Sequence, residues 1–155
     1  MAWIFSLSAE CGPQKEVAEE FARYFDGFTV TLADGSRFTC WSGTTRNDDE
    51  CWWATICPDG VTRSGIGDEQ ERRQLTEIGF VLYERLRNAP PFRFALVGVE
   101  VEHWRQFSEL DDDVVTRDSN GLVLSDSVWR HLGSPKVFVP FAHGYRWRPF
   151  LQARY

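Results

Sequence analysis

The chain has 155 residues, a length that fits a single domain, 1–155, with a core of its own. Its net charge of −6 argues against nucleic-acid binding, because neutralising phosphates takes Lys and Arg. No apolar stretch approaches the ~20 residues of a membrane span, so no membrane contact is expected. The start, Met1–Ser8, lacks the basic and long apolar regions of an export signal, which predicts a cytoplasmic protein with reduced cysteines.

The first segments predict a strand followed by an amphipathic helix. A short apolar stretch, Trp3–Ser8, is compatible with a strand. Gly12-Pro13 then marks the start of a helix, since proline is tolerated at the first helical position. The helix is expected to run to about Phe25, because apolar residues recur with helical spacing. These residues are Val17, Ala18, Phe21, Ala22, Tyr24 and Phe25.

A β-hairpin is predicted next. Residues 28–33 alternate between apolar and small or polar types, and Asp34-Gly35 is a turn signal. A two-residue loop would place Phe38 on the face opposite to Leu32. A three-residue loop, Asp34–Ser36, pairs these two residues on one face. The three-residue loop is favoured, because a slip of one residue exchanges the two faces of a strand.

A third strand and a long helix follow the hairpin. Ser42–Glu50 is polar and rich in turn residues, which predicts an exposed loop, and Cys51–Cys57 indicates the third strand of a meander. Asp68 is expected to cap the next helix, with Glu71 placed as in a capping box. The helix should end before Pro90-Pro91. Its expected buried stripe is Leu75, Ile78, Gly79, Leu82 and Leu86.

The remainder of the chain predicts one central strand and one short helix. Phe92–Val101 is continuously apolar, which is typical of a strand buried on both faces. Glu109–Asn120 is acidic and predicts an irregular segment. Ser125 or Asp126 is expected to cap a short helix. The tail, 137–155, is predicted to be irregular, since its two prolines limit regular strand.

These elements give the order β-α-β-β-β-α-β, followed by the short C-terminal helix. Strands that follow one another closely favour antiparallel pairing, and the helices have one apolar stripe each. The sequence therefore predicts an α+β domain with a mainly antiparallel sheet and the helices packed on one face.

Catalytic chemistry is poorly supported by the residue pattern. The cysteines and histidines lack the spacing of a metal site, and neither a metal nor a cofactor is expected. A small enzyme is one alternative, using either Cys11 at a helix start, where a thiol pKa can be lowered, or Glu100, Glu102 and His103 at a strand end. A structural role is favoured for both groups. Cys11 lacks an identifiable base, and in a strand the two glutamates point away from His103.

Two further segments resemble binding motifs but favour structural interpretations. Ser64–Gly67 precedes a helix as a phosphate loop does, but it lacks the lysine and the full glycine spacing, and a flexible loop is predicted. Tyr145–Phe150 combines two arginines with aromatic residues. Such a cluster could stack on bases or form an interface. In an acidic protein an interface or internal packing is favoured.

Two acidic runs, Asp48–Glu50 and Asp111–Asp113, are the strongest functional candidates. Charge runs usually lie on solvated surface, and these lack the D-x-D-x-D-G pattern of a calcium loop. Beside aromatic anchors, however, they can meet a basic protein surface, because complementary charges accelerate encounter. Trp41 and Trp53 are possible further anchors. The predicted contact surface comprises Asp48, Asp49, Glu50, Trp52, Asp111, Asp112 and Asp113.

The chain as a whole resembles the small cytoplasmic immunity proteins that accompany bacterial polymorphic and contact-dependent toxins. The resemblance lies in the compact acidic α+β domain and in late segments of the chain, namely Gly121–Ser125, Trp129, Leu132–Pro135 and Gly144–Phe150. It implies a protein that neutralises one cognate toxin by occluding its active site or substrate path. A small enzyme, or a scaffold subunit that uses exposed aromatic residues, is the alternative.

Overall fold

The computed structural model describes residues 4–61, 68–111, 117 and 119–152. Its strands are β1 (Phe5–Glu10), β2 (Thr29–Thr31), β3 (Arg37–Arg46), β4 (Trp52–Pro58), β5 (Phe94–Val99), β6 (Val123–Ser125), β7 (Val139–Ala142) and β8 (Tyr145–Trp147). The helices are α1 (Lys15–Phe25), α2 (Glu69–Leu86) and α3 (Asp126–His131), with a 3₁₀ turn at Phe107–Glu109.

The strands form one eight-stranded sheet in the order β2-β3-β4-β1-β5-β6-β8-β7, and every pairing is antiparallel. The predicted α+β class with a mainly antiparallel sheet is therefore confirmed. All residues of β1 and of β5 are buried, so both strands are central, as the continuous apolar run of β5 predicted.

The β2–β3 hairpin has a three-residue loop, but its register differs from the predicted one. Val30 pairs with Phe38, and the N–H of Leu32 donates to the carbonyl of Ser36 at 2.9 Å, so the loop is 33–35. Gly35 has a φ of 89°, a conformation that glycine adopts without a Cβ clash. Since the shift is an even number of residues, the faces are preserved, and Val30 and Phe38 are both buried.

Two segments that were predicted to be irregular are strands. β3 continues through Ser42 to Arg46, so the predicted loop Ser42–Glu50 is reduced to a turn at 47–50. The predicted irregular tail contains β7 and β8, which form a hairpin beside β6. Pro140 is accommodated because β7 is an edge strand and its register shifts between Pro140 and Ala142.

One face of the sheet carries the larger hydrophobic core, which α1 and α2 cover. Asp68 caps α2 as predicted, accepting from the N–H of Glu71 at 2.9 Å, and the whole predicted stripe of α2 is buried. α1 begins at Lys15, later than Gly12-Pro13 suggested. The reason is that Gly12 has a φ of 85° and its carbonyl accepts from the N–H of Trp52 at 2.7 Å.

The opposite face has a second, smaller core. Register places Trp53, Phe94 and Leu124 on this face, and they pack with residues of the 101–110 segment and of α3. Ser125 caps α3 by accepting from the N–H of Val128 at 3.2 Å. The two long helices share one face as predicted, whereas the short helix α3 packs on the other. The sheet is therefore covered on both faces over its middle strands.

Candidate functional site

The first acidic run lies in the turn at 47–50, the tip of the β3–β4 hairpin, which we call the acidic turn. The N–H of Asn47 donates to the carbonyl of Cys51 at 2.9 Å, and the Asn47 side chain accepts from the N–H of Cys51 at 3.0 Å. Glu50 closes the turn with a φ of 63°. These bonds hold Asp48 and Glu50 exposed at the end of two long paired strands, so their carboxylates occupy a defined place.

The turn keeps an excess of negative charge. Arg46 pairs with Glu50 at 3.0 Å, but the two side chains are 52% and 79% exposed, so the pair contributes less than about 1 kcal/mol. Asp48 is exposed, whereas Asp49 is half-buried and its Oδ1 has no hydrogen-bond partner within the described residues. Three carboxylates thus face one guanidinium at this tip.

The tryptophans near the acidic turn differ in their exposure. Trp53 is 1% exposed and packs edge-on against Phe94, with ring centroids 5.5 Å apart, so it is a core residue and not a contact anchor. Trp52 is half-buried beside the Lys15 ammonium, which lies 5.2 Å from its ring centroid. Trp41 lies in β3, the strand that leads into the turn, and is 48% exposed. The structure therefore leaves Trp41 and part of Trp52 available for contact.

The second acidic run is described only at its first residue. Asp111 is exposed and follows Leu110, which is buried in the smaller core. Asp112 and Asp113 lie outside the described residues, as does the predicted loop Ser64–Gly67. The described residues therefore show no contact between the two acidic runs.

The sequence did not predict an open edge of the sheet, which lies next to the acidic turn. Cys40 donates its N–H to the carbonyl of Phe28 at 2.7 Å, which shows the side of β3 that faces β2. Backbone groups at Ser42, Thr44 and Arg46 point to the same side, because strands alternate with a period of two residues. β2 pairs only with Arg37–Thr39 and does not reach them. A sequence signal existed in the β-branched pair Thr44-Thr45, which favours strand over loop.

Only one side chain caps this edge within the described part of the chain. Asp26, just after α1, accepts from the N–H and from the hydroxyl of Ser42, both at 3.1 Å. Thr44 has no hydrogen-bond partner on that side among the described residues. The open edge, defined as Trp41–Arg46, therefore presents unpaired backbone donors and acceptors between Asp26 and the acidic turn.

The enzyme alternative at Cys11 would need a lowered thiol pKa, and the structure gives the opposite shift. Burial, followed by the charge of Glu10, raises the pKa of the Cys11 thiol to about 12, so a thiolate nucleophile is disfavoured at neutral pH. Glu10 is fully buried, and it is held by the Arg93 guanidinium and by the N–H of Gly12, which donates to it at 2.6 Å. Burial alone would lower the pKa of Arg93, but the hydrogen bond and ion pair with Glu10 raise that pKa above its ordinary value. This balance is consistent with a structural role for the pair.

The predicted Glu–His candidate does not assemble. His103 Nε2 lies 2.6 Å from the hydroxyl of Thr45, and its ring packs on Trp53 with centroids 5.4 Å apart. Glu100 instead accepts from the N–H of Ile4 at 3.1 Å. Glu100 and His103 both have positive φ values, 56° and 49°, so the segment after β5 is no longer a strand. His103 therefore fastens this segment to β3.

The Arg-rich aromatic cluster is packed within the fold. Arg146 lies 4.0 Å from the ring centroid of Trp129 and 3.7 Å from Asp126, and Trp147 packs against Tyr83 and Phe141 in the larger core. These contacts support internal packing, one of the two roles that the sequence favours for this cluster.

Comparison with known proteins returned no relative: no family model, curated protein or solved structure matches this chain. Within the described residues no group of three His, Cys, Asp or Glu side chains is arranged to hold a metal ion. Nor does that part of the chain contain a helix with the length and apolar character needed to cross a bilayer.

Proposed function

We propose that this chain is a protein-binding inhibitor, an immunity protein, that neutralises a cognate bacterial toxin by occluding its active site or substrate path. The observation that carries the proposal is the acidic turn, because its exposed carboxylates stand at the tip of a long hairpin without a matching internal cation for each of them. Charges held in this way provide specificity and a fast encounter with a basic surface.

The surroundings of the turn support a protein partner. Trp41 is half-exposed on the strand that leads into the turn, and large aromatic residues are frequent anchors in protein interfaces. The candidate groups for catalysis, by contrast, are engaged: the Cys11 thiol is buried and His103 contacts Thr45 and Trp53. The proposed partner is a toxin with a basic contact surface, met in the cytoplasm of the producing cell.

The test begins with the chain as bait in a lysate of its native cell. The partner recovered in stoichiometric amount should be lethal when expressed alone and harmless when expressed together with the chain. A partner that is harmless alone, or that remains lethal in the presence of the chain, would overturn the proposal.

Charge reversal then tests the site itself. The double variant Asp48→Lys/Glu50→Lys reverses only the exposed carboxylates, and we expect it to bind the toxin about tenfold to a hundredfold more weakly. The control, Glu20→Lys/Glu77→Lys, makes the same change in net charge on exposed positions of α1 and α2 and should bind within about threefold of the original. Equal weakening by both variants would show that net charge, and not this turn, matters. A third variant, Asp111→Lys, tests the second acidic run independently.

A further inference from the structure

We propose that the open edge, Trp41–Arg46, binds an extended basic segment of the partner as a ninth β-strand of the sheet. This inference rests on the proposed function and specifies how the partner is held. The described residues form eight strands of the sheet, and its β2 end stops short of this part of β3. Adding a strand would satisfy the backbone groups that the fold leaves open.

The donors and acceptors of this edge are spaced for an antiparallel or parallel ladder. The carbonyl of Ser42, both backbone groups of Thr44 and the N–H of Arg46 point away from β4, since their neighbours in sequence bond to β4. Six residues at about 3.3 Å each give an edge of about 20 Å. That length accommodates an extended segment of about six residues.

Apart from the Asp26 cap at Ser42 and the charge of Arg46, the edge lacks, among the described residues, the features that usually prevent strand addition. Trp41–Arg46 contains no proline and no lysine, and the β3–β4 register is continuous from Cys40 to Arg46. A regular edge of this kind is a template for another strand. A soluble protein carries such an edge at a risk of aggregation, which a partner that covers it would remove.

Charge complementarity identifies the occupant as basic. Asp26 lies at the Trp41 end of the edge, and the acidic turn lies at the Arg46 end, so carboxylates mark both ends of the ladder. Lysine or arginine near either end of an added segment would meet them. A second copy of this chain, paired two-fold about Thr44, would instead bring its acidic turn towards Asp26 of the first copy. Repulsion between these like charges opposes such a dimer.

One position on the edge favours an apolar side chain in the middle of the segment. Gly43 lies between Trp41 and Thr45 on one face, and nothing lies within 4 Å of the place that a Cβ there would take. A side chain from an adjacent strand can occupy that space against the exposed ring of Trp41. The inferred segment therefore alternates basic and apolar residues.

The first experiment uses a defined peptide, Lys-Val-Lys-Val-Lys-Val-Lys-Val-Lys, with the full chain observed by NMR. We expect shift changes confined to Trp41–Arg46 and its neighbours, with slower amide exchange at Thr44 and Arg46. The acidic counterpart with Glu in place of Lys should cause neither effect. Equal effects from both peptides, no slowing at millimolar peptide, or changes centred on Val139–Ala142 would overturn the inference.

A matched pair of proline variants tests the ladder directly. Thr44→Pro removes an outward N–H without removing a bond to β4, and it should weaken peptide binding about tenfold. Thr31→Pro removes an equivalent outward N–H from β2, away from the open edge, and should leave binding unchanged. Sedimentation of the chain alone completes the test. A dimer that Thr44→Pro dissolves would assign the edge to a second copy and overturn the basic segment.

The same variants separate this inference from the proposed function. If the toxin partner binds Thr44→Pro as tightly as the original chain but not Asp48→Lys/Glu50→Lys, the inhibitor function stands and strand addition is wrong. If the lysine peptide adds to the edge but the chain neutralises no toxin, strand addition stands and the proposed function is wrong.

Discussion

The two edges of the sheet are built in opposite ways. At the β7 edge, Pro140 lacks an N–H, the register shifts beside it, and the Arg87 guanidinium donates to the carbonyl of Phe141. At the open edge of β3 the ladder is regular, and Asp26 caps a single N–H within the described residues. Both edges belong to one sheet in one solvent, so the contrast cannot come from the environment.

The contrast indicates that edge protection in this fold is local and selective. Proteins usually blunt both edges of a sheet, because any exposed ladder can pair with another chain. Here the residues that close β7 cost regularity in that strand, whereas β3 keeps its regularity up to the acidic turn. An edge left open beside a fixed cluster of carboxylates is the arrangement expected where one particular strand is to be admitted.

The largest expected effect comes from truncating Arg87, whose guanidinium donates to the carbonyl of Phe141 in β7. Arg87 also stacks 4.3 Å from the ring centroid of Phe141 and 5.4 Å from that of Trp147. We expect Arg87→Ala to lower the free energy of unfolding by about 3 kcal/mol, since a charged hydrogen bond and two ring contacts are lost. Urea denaturation measures it. The control Arg73→Ala removes an exposed pair with Glu69 on the same helix and should cost less than about 0.5 kcal/mol.

Alkaline pH should destabilise the half of the sheet that carries the open edge, because all four cysteines lie in or beside β1, β3 and β4. Burial holds the pKa of Cys11 at about 12 against 9.0 ordinarily. The resulting stability is fully present below about pH 9 and is lost as pH rises towards 12. Between pH 7 and about pH 10.5 the original chain should lose about 2 kcal/mol more than Cys11→Ala, by urea denaturation at both pH values. Parallel losses would contradict the assignment.

The single cap of the open edge should make a smaller contribution. Asp26→Ala removes two hydrogen bonds to Ser42 in an exposed site, and we expect a loss of about 1 kcal/mol in unfolding free energy. Amide exchange at Ser42 should become faster. Asp26→Asn keeps an oxygen acceptor and should stay close to the original in both measurements. A loss of the same size in Asp26→Asn would mean that the carboxylate charge, rather than the hydrogen bonds, is responsible.

The finest test of the comparison involves no mutation. In the free protein the amides of Thr44 and Arg46 should exchange rapidly, whereas those of Gly43 and Thr45, which face β4, should be protected. Residue-resolved hydrogen exchange by NMR reads this alternation. Uniform protection along Trp41–Arg46 would mean that something already covers the edge.

Local patterns in the sequence predicted the elements that are defined by neighbours along the chain. The cap at Asp68, the stripe of α2 and the odd-numbered hairpin loop all depend on interactions within a few residues, and all three are present. The predicted register of that hairpin, Leu32 with Phe38, differs by two residues from the observed pairing of Val30 with Phe38. An even shift leaves the buried faces unchanged, so only the turn geometry decides between the two registers.

The features that were missed depend on distant parts of the chain. Ser42–Arg46 resembles a loop because its residues are polar, and it is a strand because β4 pairs with it. The same reasoning explains β7, where proline argues against a strand but an edge position tolerates it. Trp41 and Trp53 are alike in sequence terms, yet one is half-exposed and the other buried, because the sheet is covered at β4 and not at Trp41. For the same reason only the acidic turn, and not the edge beside it, could be predicted.

The central position of β1 has a consequence for how the chain is made. Ser8 pairs with Thr55 on one side and with Leu96 on the other, so β1 gains its second neighbour only when β5 has been synthesised, well after β4. Contacts this far apart in sequence slow folding, since the intervening loop must close before they contribute. Until β5 is synthesised, Glu10 also lacks Arg93. A nascent chain stopped between β4 and β5 carries an apolar strand that can pair on one side only and a carboxylate without its cation, so this sheet cannot be completed until β5 has been synthesised.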